Sequence, residues 1–233
     1  MTNEIWILAL TTASIGFLHT LTGPDHYLPF IVIGKAKNWS HKKTIALTFI
    51  CGIGHVLSSV IIGLVGIGSG LLMNKVQLFE GYRGNVAAWA LILFGLGYMI
   101  WGAYKLYKNK PHIHLHMHND GNVHLHKHTH IDEHSHVHKQ SLTPWILFTV
   151  FILGPCEPLI PMMMYPAAKT TVGSVVFITM VFSFFTIGTM IGIVYLTSKG
   201  LDFIPLKKFE KYMHLTAGGT IVCSGLAIQF LGL

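Results

Sequence analysis

Apolar residues dominate the chain in long stretches that are separated by short polar segments. The stretches cover residues 5–34, 44–73, 86–104, 144–168, 171–198 and 214–233. A helix needs about 20 residues to cross the hydrocarbon core of a bilayer, and each stretch is roughly long enough. The pattern therefore predicts an all-α polytopic membrane protein with six transmembrane helices.

The composition agrees with this interpretation. Hydrophobic residues make up 52% and charged residues 11% of the chain, whereas about a quarter of the residues in a soluble domain are charged. We interpret the first stretch as a retained span, because the acidic Glu4 stands where a signal peptide carries basic residues. The lipid bilayer is thus the first partner that the sequence predicts.

Basic residues are distributed unevenly between the two sides that six spans define. If the N-terminus is outside, all but three of the 16 Lys and Arg residues fall in segments on the cytoplasmic side. The three exceptions are Lys75, Arg83 and Lys169. The positive-inside rule then places both termini outside and the middle loop in the cytoplasm, in a cell membrane of the inner or plasma type. The net charge of +7 therefore reflects membrane topology, and no nucleic-acid partner is expected.

Two short motifs of the first half recur in the second half. The motif "GPDHYLP" is echoed by "GPCEPLIP", and "GLGYMIWG" is echoed by "GLAIQFLG". With three spans in each half, the halves have opposite orientations, which is the inverted-repeat plan of many transporters. We therefore divide the chain into a first three-helix repeat (1–107), a histidine-rich cytoplasmic loop (108–143) and a second three-helix repeat (144–233).

Each repeat is expected to contain a broken helix, at Gly23-Pro24 and at Gly154-Pro155. Proline removes a backbone donor and clashes with the preceding turn, so it opens a helix and frees carbonyl groups. Such breaks are tolerated in a membrane where the backbone faces protein or a water-filled cavity. In inverted-repeat transporters, substrates bind near the bilayer centre at interrupted helices.

Four ionisable residues lie at about the depth of these breaks. They are Asp25, His26, His55 and Glu157. Counted from the cytoplasmic ends of their spans, they lie roughly 16–18 Å deep, near the middle of a core about 30 Å thick. Intramembrane ionisable groups usually face the bundle interior and mark an ion path. Because imidazole suits nickel, cobalt, copper and zinc, and a carboxylate favours a dication, we predict a metal site formed by these four residues.

His19, Cys51 and Cys156 are additional candidate ligands. On an unbroken helix His19 would lie about 10 Å from the level of His26. Unwinding at the proline would shorten that gap; otherwise His19 is a second stop on the route. Cys51 precedes His55 by one helical turn, so a thiolate there would be a soft ligand on the same face. The simplest alternative is that the cysteines pack as small apolar groups.

The other candidate ligands also have structural alternatives. Asp25 can serve as the cap of the half-helix that follows the proline. His55 can form a hydrogen bond between helices. Glu157 can pair with His26 as a structural contact. The sequence leaves these alternatives open.

The middle loop is rich in histidine at alternate positions. The candidate metal ligands there are His112, His114, His116, His118, His124, His126, His128, His130, His134, His136 and His138. Asn119-Asp120-Gly121-Asn122 is a turn signal between two alternating runs, which allows a hairpin with histidines on one face. We expect the segment to bind metal, since histidine-rich tracts do so. The alternative is a solubilising linker in which the histidines have no function.

Three motifs resemble those of the NicO-type nickel/cobalt permeases, including the efflux members with a histidine-rich cytoplasmic loop. "GFLHTLTGPDH" is similar to the first-span motif, "CGIGHVLSS" to the second-span motif, and the Pro-Cys of "ILGPCEP" falls where that family has it. The resemblance maps the first-span motif onto His19, Pro24 and His26, and the second-span motif onto His55. It implies transport of Ni²⁺ or Co²⁺ without enzymatic activity and without a cofactor.

The sequence leaves several functions open. The cytoplasmic position of the loop favours metal efflux, and uptake by a permease of the same family is the main alternative. A transmembrane thiol-disulfide electron carrier built on Cys156 would need a second cysteine, which Cys51 alone could supply. A metal sensor or accessory subunit is a further alternative. Association into a homo-oligomer is compatible with all of them.

Overall fold

The computed structural model describes residues 3–108, 112–117, 123–128, 142–169, 171–203 and 206–232. Eight α-helices account for most of these residues. They are α1 (Asn3–Thr22), α2 (Leu28–Ala36), α3 (His41–Gly68), α4 (Met73–Lys108), α5 (Thr143–Leu153), α6 (Leu159–Lys169), α7 (Val172–Asp202) and α8 (Met213–Leu231). Short 3-10 segments lie at Pro24–His26 and Leu206–Tyr212. A two-stranded sheet is formed by β1 (His112–Met117) and β2 (Val123–His128).

Five helices of the described chain are long and apolar enough to cross a membrane. They cover Asn3–Thr22, His41–Gly68, Met73–Lys108, Val172–Asp202 and Phe209–Leu231. Large apolar side chains cover their outer surfaces, as Leu10, Leu93 and Phe184 show with exposed fractions of 72%, 66% and 74%. Such a surface is stable when lipid surrounds it. The fold is therefore that of an α-helical multi-pass membrane protein.

Two of the predicted spans are interrupted in the structure. The stretch 5–34 consists of α1, the 3-10 segment and α2, and the stretch 144–168 consists of α5 and α6 with a non-helical turn between them. Because α5 and α6 have only 11 residues each, neither crosses a bilayer alone. The count of six spans and the inverted repeat therefore stay predictions.

One predicted boundary is wrong. The sequence pattern places residues 74–85 in a loop, but α4 begins at Met73 and continues without a break to Lys108. Lys75 and Arg83 therefore belong to a helix rather than to a loop. Val76 and Glu80 are the buried residues of this segment, and the hydrogen-bond partners of Arg83 are described below.

Helices of the first half of the chain pack on helices of the second half. α1 packs on α7, both α5 and α6 pack on α3, and α4 packs along α8. Glycines allow the close α4–α8 contact: a Cβ on Gly218 would lie 2.5 Å from the Met99 amide nitrogen, and one on Gly95 would lie 2.8 Å from that of Val222. Small residues at such interfaces let helix backbones approach in the membrane.

The histidine-rich segment contains two antiparallel strands, as the alternation of its histidines allows. β1 and β2 are antiparallel, and their register places His112 opposite His128, His114 opposite His126 and His116 opposite His124. The predicted turn at residues 119–122 lies outside the described residues. The same is true of His118, His130, His134, His136 and His138.

Candidate metal centre

The break after α1 brings two histidines of one segment together. α1 ends at Thr22, and Pro24 begins the 3-10 segment, where its lack of an N–H is tolerated. The Gly23 amide donates to the His19 carbonyl oxygen at 3.0 Å, and the His26 amide donates to the Gly23 carbonyl oxygen at 3.1 Å. As a result, the rings of His19 and His26 have centroids 4.8 Å apart, instead of about 10 Å on a continuous helix.

Glycine at position 23 leaves room for the imidazole of His26. A Cβ at Gly23 would lie 2.5 Å from His26 Nδ1 and 2.9 Å from its Cε1. These distances are below any normal contact between carbon and nitrogen or carbon and carbon. Any side chain at this position would therefore displace the His26 ring.

His55 of α3 completes a cluster of three histidines. Its ring centroid lies 5.0 Å from that of His26. One ring nitrogen from each of His19, His26 and His55 lies within 4.8 Å of the other two. Among the described residues, this is the group of histidine, cysteine and carboxylate side chains whose spacing allows a shared metal ion. The two helices and the helix break thus converge on one point.

Hydrogen bonds fix the orientation of two of the rings. His26 Nδ1 lies 3.1 Å from the Gly23 carbonyl oxygen and 3.1 Å from Asp25 Oδ1. His55 Nδ1 lies 3.3 Å from the Phe151 carbonyl oxygen. Because carbonyl and carboxylate oxygens only accept, Nδ1–H of each ring is the donor and the lone pair is on Nε2. Metal-binding histidines are commonly oriented in this way by their second nitrogen.

The Nε2 atoms of all three histidines are buried, and none has a hydrogen-bond partner among the described residues. A buried polar atom without a partner costs about 1–3 kcal/mol, so three at one point need an explanation. A metal ion that accepts one lone pair from each ring would satisfy all three histidines together. With bonds of about 2.1 Å, tetrahedral ligand nitrogens lie roughly 3.4 Å apart, so ring nitrogens within 4.8 Å of one another need to close by at most roughly 1.4 Å.

A small cavity adjoins this cluster. Its volume is about 30 Å³, which is enough for one or two water molecules. It is lined by Asp25, His26, His55, Gly84, Gly154 and Pro155, among others. Residues of both helix breaks therefore line the same cavity.

Asp25 is adjacent to the cluster, whereas Glu157 is not part of it. The side chain of Asp25 is 28% exposed and bonds to His26. Glu157 is exposed, in the turn between α5 and α6. The predicted convergence of Glu157 with the histidines is therefore corrected: in this turn the neighbouring Cys156 points inward and Glu157 points outward. His19 takes a place in the cluster rather than forming a separate stop.

The two candidate cysteine ligands pack among apolar side chains, and Cys156 also lies near the charged groups of Glu80, Arg83 and Asp25. Cys51 packs in a cluster with Phe30 and Leu147, and Cys156 packs in another with Leu159. Both are free thiols. This placement agrees with the alternative that they fill space, and it does not place them as the partners that thiol-disulfide exchange requires.

A buried polar network that the sequence pattern did not predict lies beside the second helix break. Arg83 Nη2 bonds to Glu80 Oε2 at 3.0 Å, to Ser59 Oγ and to the Gly154 carbonyl oxygen. The Cys156 amide also donates to Ser59 Oγ, at 3.1 Å. Glu80 and Arg83 are three residues apart, which is the spacing of an ion pair on one face of a helix. This spacing could have indicated a helix where a loop was predicted.

The chain matches no protein-family model, no curated protein and no solved structure. Its function is therefore inferred from the geometry of the three histidines and their surroundings.

Proposed function

We propose that this protein is an integral-membrane transporter of divalent transition-metal cations, with Ni²⁺ or Co²⁺ as substrate and efflux as direction. The observation that carries the proposal is the convergence of three histidine rings at a helix break: one ring nitrogen from each lies within 4.8 Å of the other two, and the buried Nε2 atoms of all three have no partner among the described residues. Two of these atoms belong to rings whose other nitrogen is already held by an oxygen.

The ligand set explains the choice of ion. Neutral imidazole nitrogen binds nickel, cobalt, copper and zinc well, whereas magnesium and calcium prefer oxygen. Within this group the resemblance to the NicO-type permeases selects nickel and cobalt. The carboxylate of Asp25, hydrogen-bonded to His26 at 3.1 Å, supplies negative charge near a dication without binding it directly.

The same ligand set suits transport better than permanent binding. Structural metal sites have four protein ligands, whereas three leave positions open for water or for a ligand on the way in or out. The cavity of about 30 Å³ beside His26 and His55 accommodates such water. A metal ion therefore enters partly hydrated and exchanges its remaining waters for imidazole.

The packing supports an inverted repeat with six spans, in which α5 and α6 together form the fourth. The broken first span, α1 and α2, packs on α7, and the broken fourth span packs on α3. The third and sixth spans, α4 and α8, pack on each other. A two-fold axis in the membrane plane would exchange these pairs. Rocking of one half against the other would then open the histidine cluster to each side in turn.

The histidine-rich hairpin fits a role in loading the transporter. Its register places three histidines of β1 opposite three of β2, and histidine-rich segments bind metal. The distribution of Lys and Arg favours a cytoplasmic position for this loop. Capture on that side favours efflux, and uptake through the same three histidines is the alternative that a transport assay separates.

Flux of metal into proteoliposomes that contain a fluorescent chelator tests the proposal. We expect Ni²⁺ and Co²⁺ flux for the wild type and loss of flux for His26→Ala. His214→Ala is the matched control, because His214 bonds to Tyr98 and Lys105 away from the cluster. The proposal fails if the wild type moves none of Ni²⁺, Co²⁺, Zn²⁺ and Mn²⁺. Inside-out and right-side-out vesicles distinguish efflux from uptake.

A further inference from the structure

A single nitrogen of Arg83, Nη2, forms hydrogen bonds to three oxygen atoms. It lies 2.6 Å from Ser59 Oγ, 2.9 Å from the Gly154 carbonyl oxygen and 3.0 Å from Glu80 Oε2. The three oxygens come from α3, from the residue that follows α5 and from α4. Glu80 has an exposed fraction of 0%.

The remaining polar atoms of this ion pair have no partner among the described residues. They are Glu80 Oε1, Arg83 Nε and Arg83 Nη1, and all three are buried. Arginine normally binds a carboxylate through two parallel hydrogen bonds, with its fork matched to both oxygens. Here the guanidinium instead acts as a point charge, and one carboxylate oxygen remains free to bind another group.

The three oxygens are a suitable ligand set for a cation. Carboxylate, hydroxyl and carbonyl oxygens bind hard divalent ions at about 2.0–2.6 Å. The distances to Nη2 are slightly longer, so an ion at this position needs only a small contraction of the surrounding helices. Glu80 Oε1 would supply a further ligand, because it is buried and has no partner in the described chain.

We propose that Glu80, Ser59 and the Gly154 carbonyl group form a second cation site, which Arg83 fills as a tethered cation in this conformation. A metal ion arriving at the site displaces the guanidinium and takes its place among the oxygens. Because the guanidinium has to leave the three oxygens before the ion can bind, the ion is held less tightly than it would be without Arg83.

The position of the site makes it the next stop after the histidine cluster. Ser59 follows His55 by one turn of α3, about 6 Å along the helix axis. Gly154 lines the cavity beside His55, as does Gly84, the neighbour of Arg83. The two sites therefore adjoin, and the second lies toward the end of α3 remote from Lys42 and Lys43. Its role as a stop rests on the proposed transport function, whereas its ability to bind a cation does not.

The difference in ligands gives the second site a function in release. Imidazole nitrogen suits nickel and cobalt, whereas carboxylate and carbonyl oxygens suit magnesium, calcium and manganese. An ion handed from nitrogen to oxygen is held more weakly, and the returning Arg83 competes for the same oxygens. Arg83 thus promotes departure of the ion and prevents its return to the histidines.

Mn²⁺ binding to the full-length chain tests the site directly. All variants carry His26→Ala and His55→Ala, which remove the histidine cluster. They also keep the same histidine-rich loop, so any Mn²⁺ bound by the loop is common to all of them. Adding Arg83→Ala vacates the three oxygens, and equilibrium dialysis should then show one additional Mn²⁺ per chain. Adding Glu80→Gln as well should abolish this extra ion. The matched variants differ only at the proposed site.

Thermal unfolding provides a second measurement on the same proteins. Mn²⁺ should raise the Tm of the Arg83→Ala variant and leave that of the variant with both Arg83→Ala and Glu80→Gln unchanged. If Arg83→Ala does not fold, Arg83→Lys replaces it, since lysine keeps the charge and competes less well for three oxygens. The absence of additional Mn²⁺ in a folded Arg83 variant would overturn the proposal.

These results are independent of the flux assay. If the Arg83→Ala variant binds additional Mn²⁺ but the wild type transports no metal, the proposed transport function is refuted and the proposed cation site is supported. If the wild type transports metal but the Arg83 variants bind no additional ion, the cation site is refuted and the transport function is supported.

Discussion

Replacing Gly23 by alanine is expected to weaken metal binding through the position of one imidazole. The new Cβ would lie 2.5 Å from His26 Nδ1 and 3.0 Å from Asp25 Oδ1. Normal contact requires about 3.5 Å, so the His26 ring has to move by roughly 1 Å. The backbone at position 23, with φ −86° and ψ 97°, accepts alanine without strain. The effect is therefore confined to the site.

The size of the effect follows from the tolerance of metal ligands. Bond lengths at a metal site are fixed to about 0.2 Å, and the displaced ring also loses its bond to the Gly23 carbonyl oxygen. Loss of an orienting partner costs about 10–100-fold in metal affinity, which corresponds to roughly 1.4–2.8 kcal/mol. We expect the Kd for Ni²⁺ of Gly23→Ala to rise by about that factor.

Isothermal titration with Ni²⁺ measures this change in a chain that lacks residues 112–138, where the loop histidines do not contribute. Gly188→Ala is the matched control, because nothing lies within 4 Å of a Cβ at that helical position. Wild-type affinity in the Gly23→Ala variant would refute the role of His26 as a ligand. An equal loss in both variants would show a general effect of the substitution.

Three further predictions follow from the same geometry. Asp25→Asn should weaken Ni²⁺ binding by about 10–100-fold, since it removes the charge that holds His26 Nδ1–H; titration checks this, and an unchanged Kd would contradict it. Glu157→Gln should leave the Kd unchanged, because Glu157 is exposed; a loss of affinity similar to that of Asp25→Asn would place it at the site after all. Deletion of residues 112–138 should retain flux with a changed apparent affinity, and complete loss of flux in a folded protein would assign the loop an essential role.

Local signals in the sequence were sufficient to predict the helix breaks and part of the site. Proline and glycine determine where α1 ends, and the spacing of His19 and His26 indicated that unwinding would bring them together. The alternation of the loop and its turn signal allowed a hairpin, and β1 and β2 are the antiparallel strands of such an arrangement. These features depend on residues that are close in sequence, so they can be inferred without the tertiary structure.

Features that depend on tertiary contacts could not be inferred. The direction of Glu157 is set by the turn between α5 and α6, and a shift of one residue exchanges its orientation with that of Cys156. Arg83, within residues 74–85, bonds through Nη2 to Ser59 and to the Gly154 carbonyl oxygen, which are distant in sequence. A polar segment with distant partners has the same local composition as a loop.

X-ray absorption at the nickel edge tests the central claim most directly. The sample is the Ni²⁺-loaded chain without residues 112–138, so that the three histidines of the membrane segments are the candidate imidazole ligands. The account predicts three imidazole nitrogens at about 2.1 Å, with oxygen in the remaining positions and no sulfur. A spectrum with sulfur ligands, or with oxygen alone, would contradict it.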